Sequence, residues 1–116
     1  MSPTFKKIKN YVLGARYDLS VAFLSPAKMR AVTRKTKKKN KASNVLAFPL
    51  SKTSGEILIC KETAKKEASR WGMKQTAFVA YLFIHGLYHL KGYKHSVRME
   101  RIERRTLAKF GFKRNE

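Results

Sequence analysis

"QTAFVAYLFIHGLYHLKG", residues 75–92, is the stretch on which the fold turns. It is too long for an ordinary strand and apolar on nearly every side, so it predicts a central helix buried inside the molecule. Gly92 ends it, because glycine takes the backbone conformations that close a helix and turn the chain back. The same stretch carries His85 and His89, and His95 follows just beyond the glycine; the chain has no other histidine.

Outward from this helix the pattern predicts a small α+β domain of α/β-like character. "TFKKIKNYVLG" puts Phe5, Ile8, Tyr11 and Val12 at helical spacing and stops at Gly14. "YDLSVAF" alternates as a strand with one buried face. In "SPAKMRAVTRKT", Ser25 is a candidate N-cap with Pro26 at the first helical position, and the helix is expected to dissolve into the basic run "RKTKKKNK", Arg34–Lys41, as a mobile loop. "NVLAFP" and "GEILIC", bounded by Pro49 and Gly55, read as buried strands. "KETAKKEASRWG" reads as a helix closed by Gly72. "SVRMERIERRTLAKFG" is a last amphipathic helix, with Val97, Ile102, Leu107 and Phe110 as its expected buried face. The order predicts a mixed sheet of about three or four strands flanked by four or five helices, one domain over residues 1–116. Trp71, Cys60 and Met99 read as structural.

Charge narrows the function. Against 27 Lys and Arg stand 7 Asp and Glu, a net charge of +20, for which a polyanion, and so nucleic acid, is the natural partner. The longest apolar run, "AFVAYLFI", falls far short of the roughly 20 residues of a spanning helix. No signal-peptide pattern opens the chain. A single cysteine, Cys60, permits no internal disulfide, which fits a reducing compartment, and the cytoplasm is the expected location.

The histidines then acquire a chemical meaning. On a helix His85 and His89 lie one turn apart on one face, and the bend at Gly92 could deliver His95 to the same ion. Three imidazoles and an open fourth position form the donor set of a catalytic zinc. The skeleton H-x-x-x-H-x-x-G-x-x-H also matches the metzincin peptidases, with Gly86 where their glutamate stands. Tyr88 and Tyr93 flank the ligands and could stack a base, although packing is the preferred reading.

"HGLYHLKGYKH" resembles the signature H-G-x-L-H-L-x-G-[YF]-D-H of the YbeY endoribonucleases, which act in ribosomal RNA maturation. "NKASNVLAFPL" is similar to their K-x-P-T-D-V-L-S-F-P segment, "GEILICKETAKKEA" to their G-D-I-x-I-C and following helix, and "AKMRAVTRKTKKK" occupies the place of their R-x-Y-R-x-K segment. Residues 5–112 align in order. The resemblance implies one zinc per chain on His85, His89 and His95, a sheet of about four strands, and a single-strand-specific endoribonuclease acting on small-subunit ribosomal RNA (the 3′ end of 16S) and in ribosome quality control. It also implies the ribosome and its proteins as partners. A monomer is expected.

The departures are specific. Lys94 replaces the family's aspartate before the third histidine, Lys37 aligns with its cleft arginine, Ser43-Asn44 replace Thr-Asp, and Ala47 replaces a serine. Lysine keeps charge but lacks the fork that grips phosphate. The strand that usually precedes the opening helix is missing, and the stretch after His95 is short. Metal-assisted hydrolysis is the expected scheme, with Lys37 and Arg34 clamping the transition-state charge and Glu56 as candidate base. Arg34, Lys35, Lys37, Lys38, Lys39, Lys41 and Lys94 are the expected RNA contacts. Two rivals stand beside this: a non-catalytic ribosome or RNA-binding factor in which zinc only staples helix to loop, and a zinc peptidase.

Overall fold

The computed structural model describes residues 1–37 and 44–112, without the Lys37 side chain. Five helices and three strands appear among them in the predicted order: α1 (Pro3–Leu13), β1 (Asp18–Phe23), α2 (Pro26–Lys37), β2 (Val45–Ser51), β3 (Ser54–Ile59), α3 (Lys61–Arg70), α4 (Gln75–Lys91) and α5 (Val97–Lys109).

Local chemistry sets the ends of α1. Ser2 Oγ accepts from the Phe5 amide at 3.2 Å, with Pro3 opening the helix. At the other end Lys9 Nζ donates to the Ala15 carbonyl at 3.1 Å and Lys91 Nζ donates to the Val12 carbonyl at 3.1 Å. Two ammonium groups thus sit at the negative end of α1, and the second ties it to the last turn of α4.

The sheet is mixed, in the order β1-β3-β2, with β1 parallel and β2 antiparallel to the central β3. Pro49 was expected to bound β2, but the strand runs on to Ser51. Its pairing shifts register between Pro49 and Ser51, and β2 is an edge strand among the described residues, the place where a proline's missing donor does least harm.

The pleat of β3 divides the core. Ile57 and Ile59 pack with Phe83, Ile84 and Leu87 of α4, and with Ile8, Val12, Met99 and Leu107 from α1 and α5. Leu58 and Cys60 face the other way and join Met29 and Leu46 under α2. Cys60 and Met99 are core residues, as expected. Helix α4 is buried at ten positions from Ala77 to Tyr88 and packs against α1, α3, α5, β2 and β3. Phe83 is fully buried and stacks on Phe5 at 4.1 Å; truncating such a ring costs about 3–5 kcal/mol. Gly86 permits the close approach of α4 to the sheet, since a Cβ there would lie 3.0 Å from Ile57 Cδ1.

Two expectations are corrected. Helix α2 continues through Arg34 to Lys37 instead of dissolving. Met29 and Thr33 anchor it in the second core, and Thr33 and Thr36 hydroxyls bond back to the Met29 and Val32 carbonyls at 2.8 and 2.7 Å. Helix α5 buries Met99, Glu103, Thr106 and Leu107, while Val97 is 66% exposed. No helix of the described residues is long and apolar enough to cross a membrane.

Candidate metal centre

The histidine site begins with how α4 ends. Gly92 has φ 108°, in the left-handed region, and its amide donates to the His89 carbonyl while the Tyr93 amide donates to that of Tyr88, both at 3.0 Å. This glycine-closed turn reverses the chain and returns His95 toward the last turns of α4. Ser96 then caps α5 by accepting from the Met99 amide at 3.1 Å.

His85 and His89 face each other edge to face, with ring centroids 4.4 Å apart and Nε2 atoms separated by 2.9 Å. The ring of His95 lies 5.9 Å from that of His85, centroid to centroid. His85 Nδ1 is bonded to the carboxylate of Glu103 on α5, and Tyr81 Oη donates to the other carboxylate oxygen at 3.4 Å. Glu103 is fully buried, an environment in which an ionised carboxylate needs such partners. A neutral His85 that donates its Nδ1 proton to Glu103 carries its lone pair on Nε2, the nitrogen turned toward His89. Partial burial holds His89 below the ordinary imidazole value, and the neighbouring His85 lowers it further; a hydrogen bond with the Tyr93 backbone and the charge of Glu103 oppose the shift. The lowered value favours the neutral ring, the form in which an imidazole can ligate a metal.

A tetrahedral divalent ion sets a definite geometry for imidazole donors. With bonds near 2.05 Å, two coordinating nitrogens stand roughly 3.3 Å apart and their ring centroids roughly 5.2 Å apart. The His85–His89 pair is tighter than this, with centroids 4.4 Å apart, and the His85–His95 pair wider, with centroids 5.9 Å apart. Among the described residues no group of three or more His, Cys, Asp or Glu side chains is placed to hold a metal ion. Imidazole donors with a carboxylate behind one of them suit zinc, and three such ligands leave a coordination position open to substrate.

Other predicted residues fall elsewhere. Glu56 has the pleat parity of Leu58 and Cys60, so it points to the α2 face of β3, away from α4 and the histidines. The expectation that it serves as base is corrected on that ground. Arg34 and Lys35 are exposed on the last turn of α2, and Lys94 is exposed beside His95. Lys38, Lys39 and Lys41 lie outside the described residues. Tyr88 packs, with its hydroxyl 2.7 Å from Thr106 Oγ1 and its ring edge-on to Tyr93. Trp71, read as structural, is 50% exposed. Gly86, at the position of the metzincin glutamate, faces Ile57 in the core, where a carboxylate could reach neither ion nor water.

The model of the family Endoribonuclease YbeY matches residues 3–111. The chain belongs to the YbeY family. Curated YbeY relatives include those of Paraburkholderia phytofirmans, 33% identical over 82% of this chain, Cupriavidus pinatubonensis, 32% over 95%, and Aromatoleum aromaticum, 30% over 96%. The chain spans 69%, 61% and 79% of those relatives' lengths. The α+β architecture is shared with the solution structure of TM1509 from Thermotoga maritima, at a TM-score of 0.69 and 21% identity, over 92% of this chain and 76% of that one. Within its YbeY signature the chain adds one participant that the histidine motif does not contain. Glu103 sits eight residues past His95, and its only trace in the sequence is helical spacing, four residues after buried Met99 and three or four before Thr106 and Leu107.

Proposed function

We propose that this chain is a zinc-dependent, single-strand-specific endoribonuclease that matures ribosomal RNA, with the 3′ end of the small-subunit 16S RNA as substrate and the ribosome and its proteins as setting. It carries one zinc and acts as a monomer in the cytoplasm. The observation that carries the reading is the convergence of the His85 and His89 Nε2 atoms in a YbeY chain of net charge +20, with a buried carboxylate holding the first ring.

His85, His89 and His95 would hold the ion, and Glu103 fixes the tautomer and orientation of His85. A zinc held there would supply Lewis-acid chemistry, a hydrolytic water available near neutral pH and polarisation of a phosphoryl oxygen. Arg34 and Lys37 offset the charge that builds on the phosphate, and Lys35, Lys38, Lys39, Lys41 and Lys94 hold the backbone without reading sequence. No proton transfer is assigned to Glu56.

A second reading, an RNA-binding factor in which the ion only ties α4 to the following turn, is favoured by Lys94, an ammonium placed next to a metal ligand. One experiment separates the two. Zinc-loaded protein is incubated with a generic single-stranded RNA, with His89→Ala alongside and binding followed in parallel. Cleavage by the wild type, lost in the variant while salt-sensitive binding persists, supports the enzyme. Tight binding without cleavage by either protein overturns it in favour of the binding factor.

A further inference from the structure

A cavity of about 590 Å³ lies between α3, α4 and α5 and shares Tyr81 with the surroundings of His85. That volume lies within the roughly 300–1,000 Å³ of small-molecule sites. Trp71, half exposed, lines it from the end of α3; Phe78, almost wholly buried, and Tyr81 line it from α4, their rings 6.0 Å apart. Glu67, Glu100 and Arg104 supply its charge. Tyr81 belongs to both sites, since its ring is 6.3 Å from that of His85 and its hydroxyl reaches Glu103. Four residues of helix, a rise of about 6 Å, separate the cavity wall from the first histidine.

The chemistry of this cavity is unlike the rest of the molecule. Only 7 acids stand against 27 bases in the chain, yet two of the seven line this one cavity. A bare anion would be repelled by them, and an apolar peptide would leave them without partners. An occupant with a flat π face, a hydrogen-bond donor edge and a phosphate backbone running out over the basic surface satisfies all three features. Those are the properties of an unpaired nucleobase in RNA, stacked on an aromatic side chain and read along its pairing edge. Guanine alone places two donors, N1–H and N2–H, side by side on that edge, matching the two oxygens of one carboxylate. Glu67 faces Arg70 at 3.7 Å, whereas Glu100 makes no ion pair among the described residues.

We propose that this cavity is a guanine subsite, in which Trp71 stacks the base, Glu100 accepts from its pairing edge and Arg104 meets the adjoining phosphate. The inference rests on the RNA-cleaving reading above. It adds a specificity element: the chain selects RNA with an unpaired guanine next to the phosphate presented to the histidines.

Trp71 is the chain's only tryptophan, so its emission reports this cavity alone. Zinc-loaded full-length protein is titrated with GMP, AMP, CMP and UMP, which share a phosphate and offer no phosphodiester to cut, with correction for nucleotide absorbance. GMP is expected to quench Trp71 at about tenfold lower concentration than UMP, the scale of discrimination of a bidentate base contact. Glu100→Gln should abolish the GMP preference while leaving a base-independent quench. Equal quenching by all four nucleotides, no quenching, or a preference that survives Glu100→Gln overturns the proposal. The two readings fail separately. RNA cleaved with no guanine beside the cut sinks the subsite and leaves the nuclease standing. A GMP-selective quench in a protein that cuts no RNA does the reverse.

Discussion

Glu103→Gln is the substitution that isolates what the buried carboxylate does. The amide keeps the size of the side chain, and its carbonyl can still accept the His85 Nδ1 proton, so neither the ring nor Tyr81 is left without a partner. What disappears is the negative charge behind a metal-ligating imidazole. Loss of such a partner weakens metal affinity by about 10–100-fold, or about 1.4–2.7 kcal/mol. Folding stability should change by only about 1 kcal/mol, because a hydrogen bond is retained and no charge is left buried alone. The assay is competition for zinc against a chromophoric chelator, with thermal melts of the metal-free proteins alongside. Zinc affinity within a factor of two of wild type would refute the assignment of Glu103 as the group that holds His85 for the metal.

Gly86→Ala places a Cβ 3.0 Å from Ile57 Cδ1 in a packed helix–sheet contact and should destabilise the fold by about 1–3 kcal/mol, measured by denaturant unfolding. Adding Ile57→Val, which removes that methyl, should recover part of the loss. The pH dependence follows from His89, whose pKa in the folded chain lies below the ordinary value of 6.5. As pH falls through 6.5 the unfolded chain takes up the proton first, so metal-free protein loses stability toward the lower folded value. His89→Gln should flatten that part of the melting-temperature profile. RNA binding should weaken steeply with salt, and Arg34→Ala with Lys35→Ala should flatten the log–log slope on single strands by about 1.4 if both meet phosphates.

Much of this molecule could be read from residue order, and the misses have physical causes. The glycine-closed turn at Gly92 was legible because glycine alone favours φ of 108°, and the adjacency of His85 and His89 because α-helical spacing places one over the other. Continuation of α2 through Arg34–Lys37 was hidden by the like charges, whose repulsion is outweighed by the anchoring of Met29 and Thr33 on the second face of the sheet. Glu103 lies in "RMERIERR", where a carboxylate among arginines looks like a solvated charge; only the partner ring on α4 explains its burial. Glu56 was misassigned because "GEILIC" is apolar on both faces, so its pattern does not reveal which face meets α4. Trp71 reads as structural on residue type, and nothing in its sequence neighbourhood marks the cavity that it lines just past the end of α3.

The metal's own coordination shell tests the central proposition most directly. The X-ray absorption spectrum of the zinc-loaded chain should show each zinc with three imidazole nitrogens and an oxygen near 2.0–2.1 Å. A shell with a sulfur near 2.3 Å from Cys60, or one that keeps its full set of imidazoles after His85→Ala with His89→Ala, would contradict it.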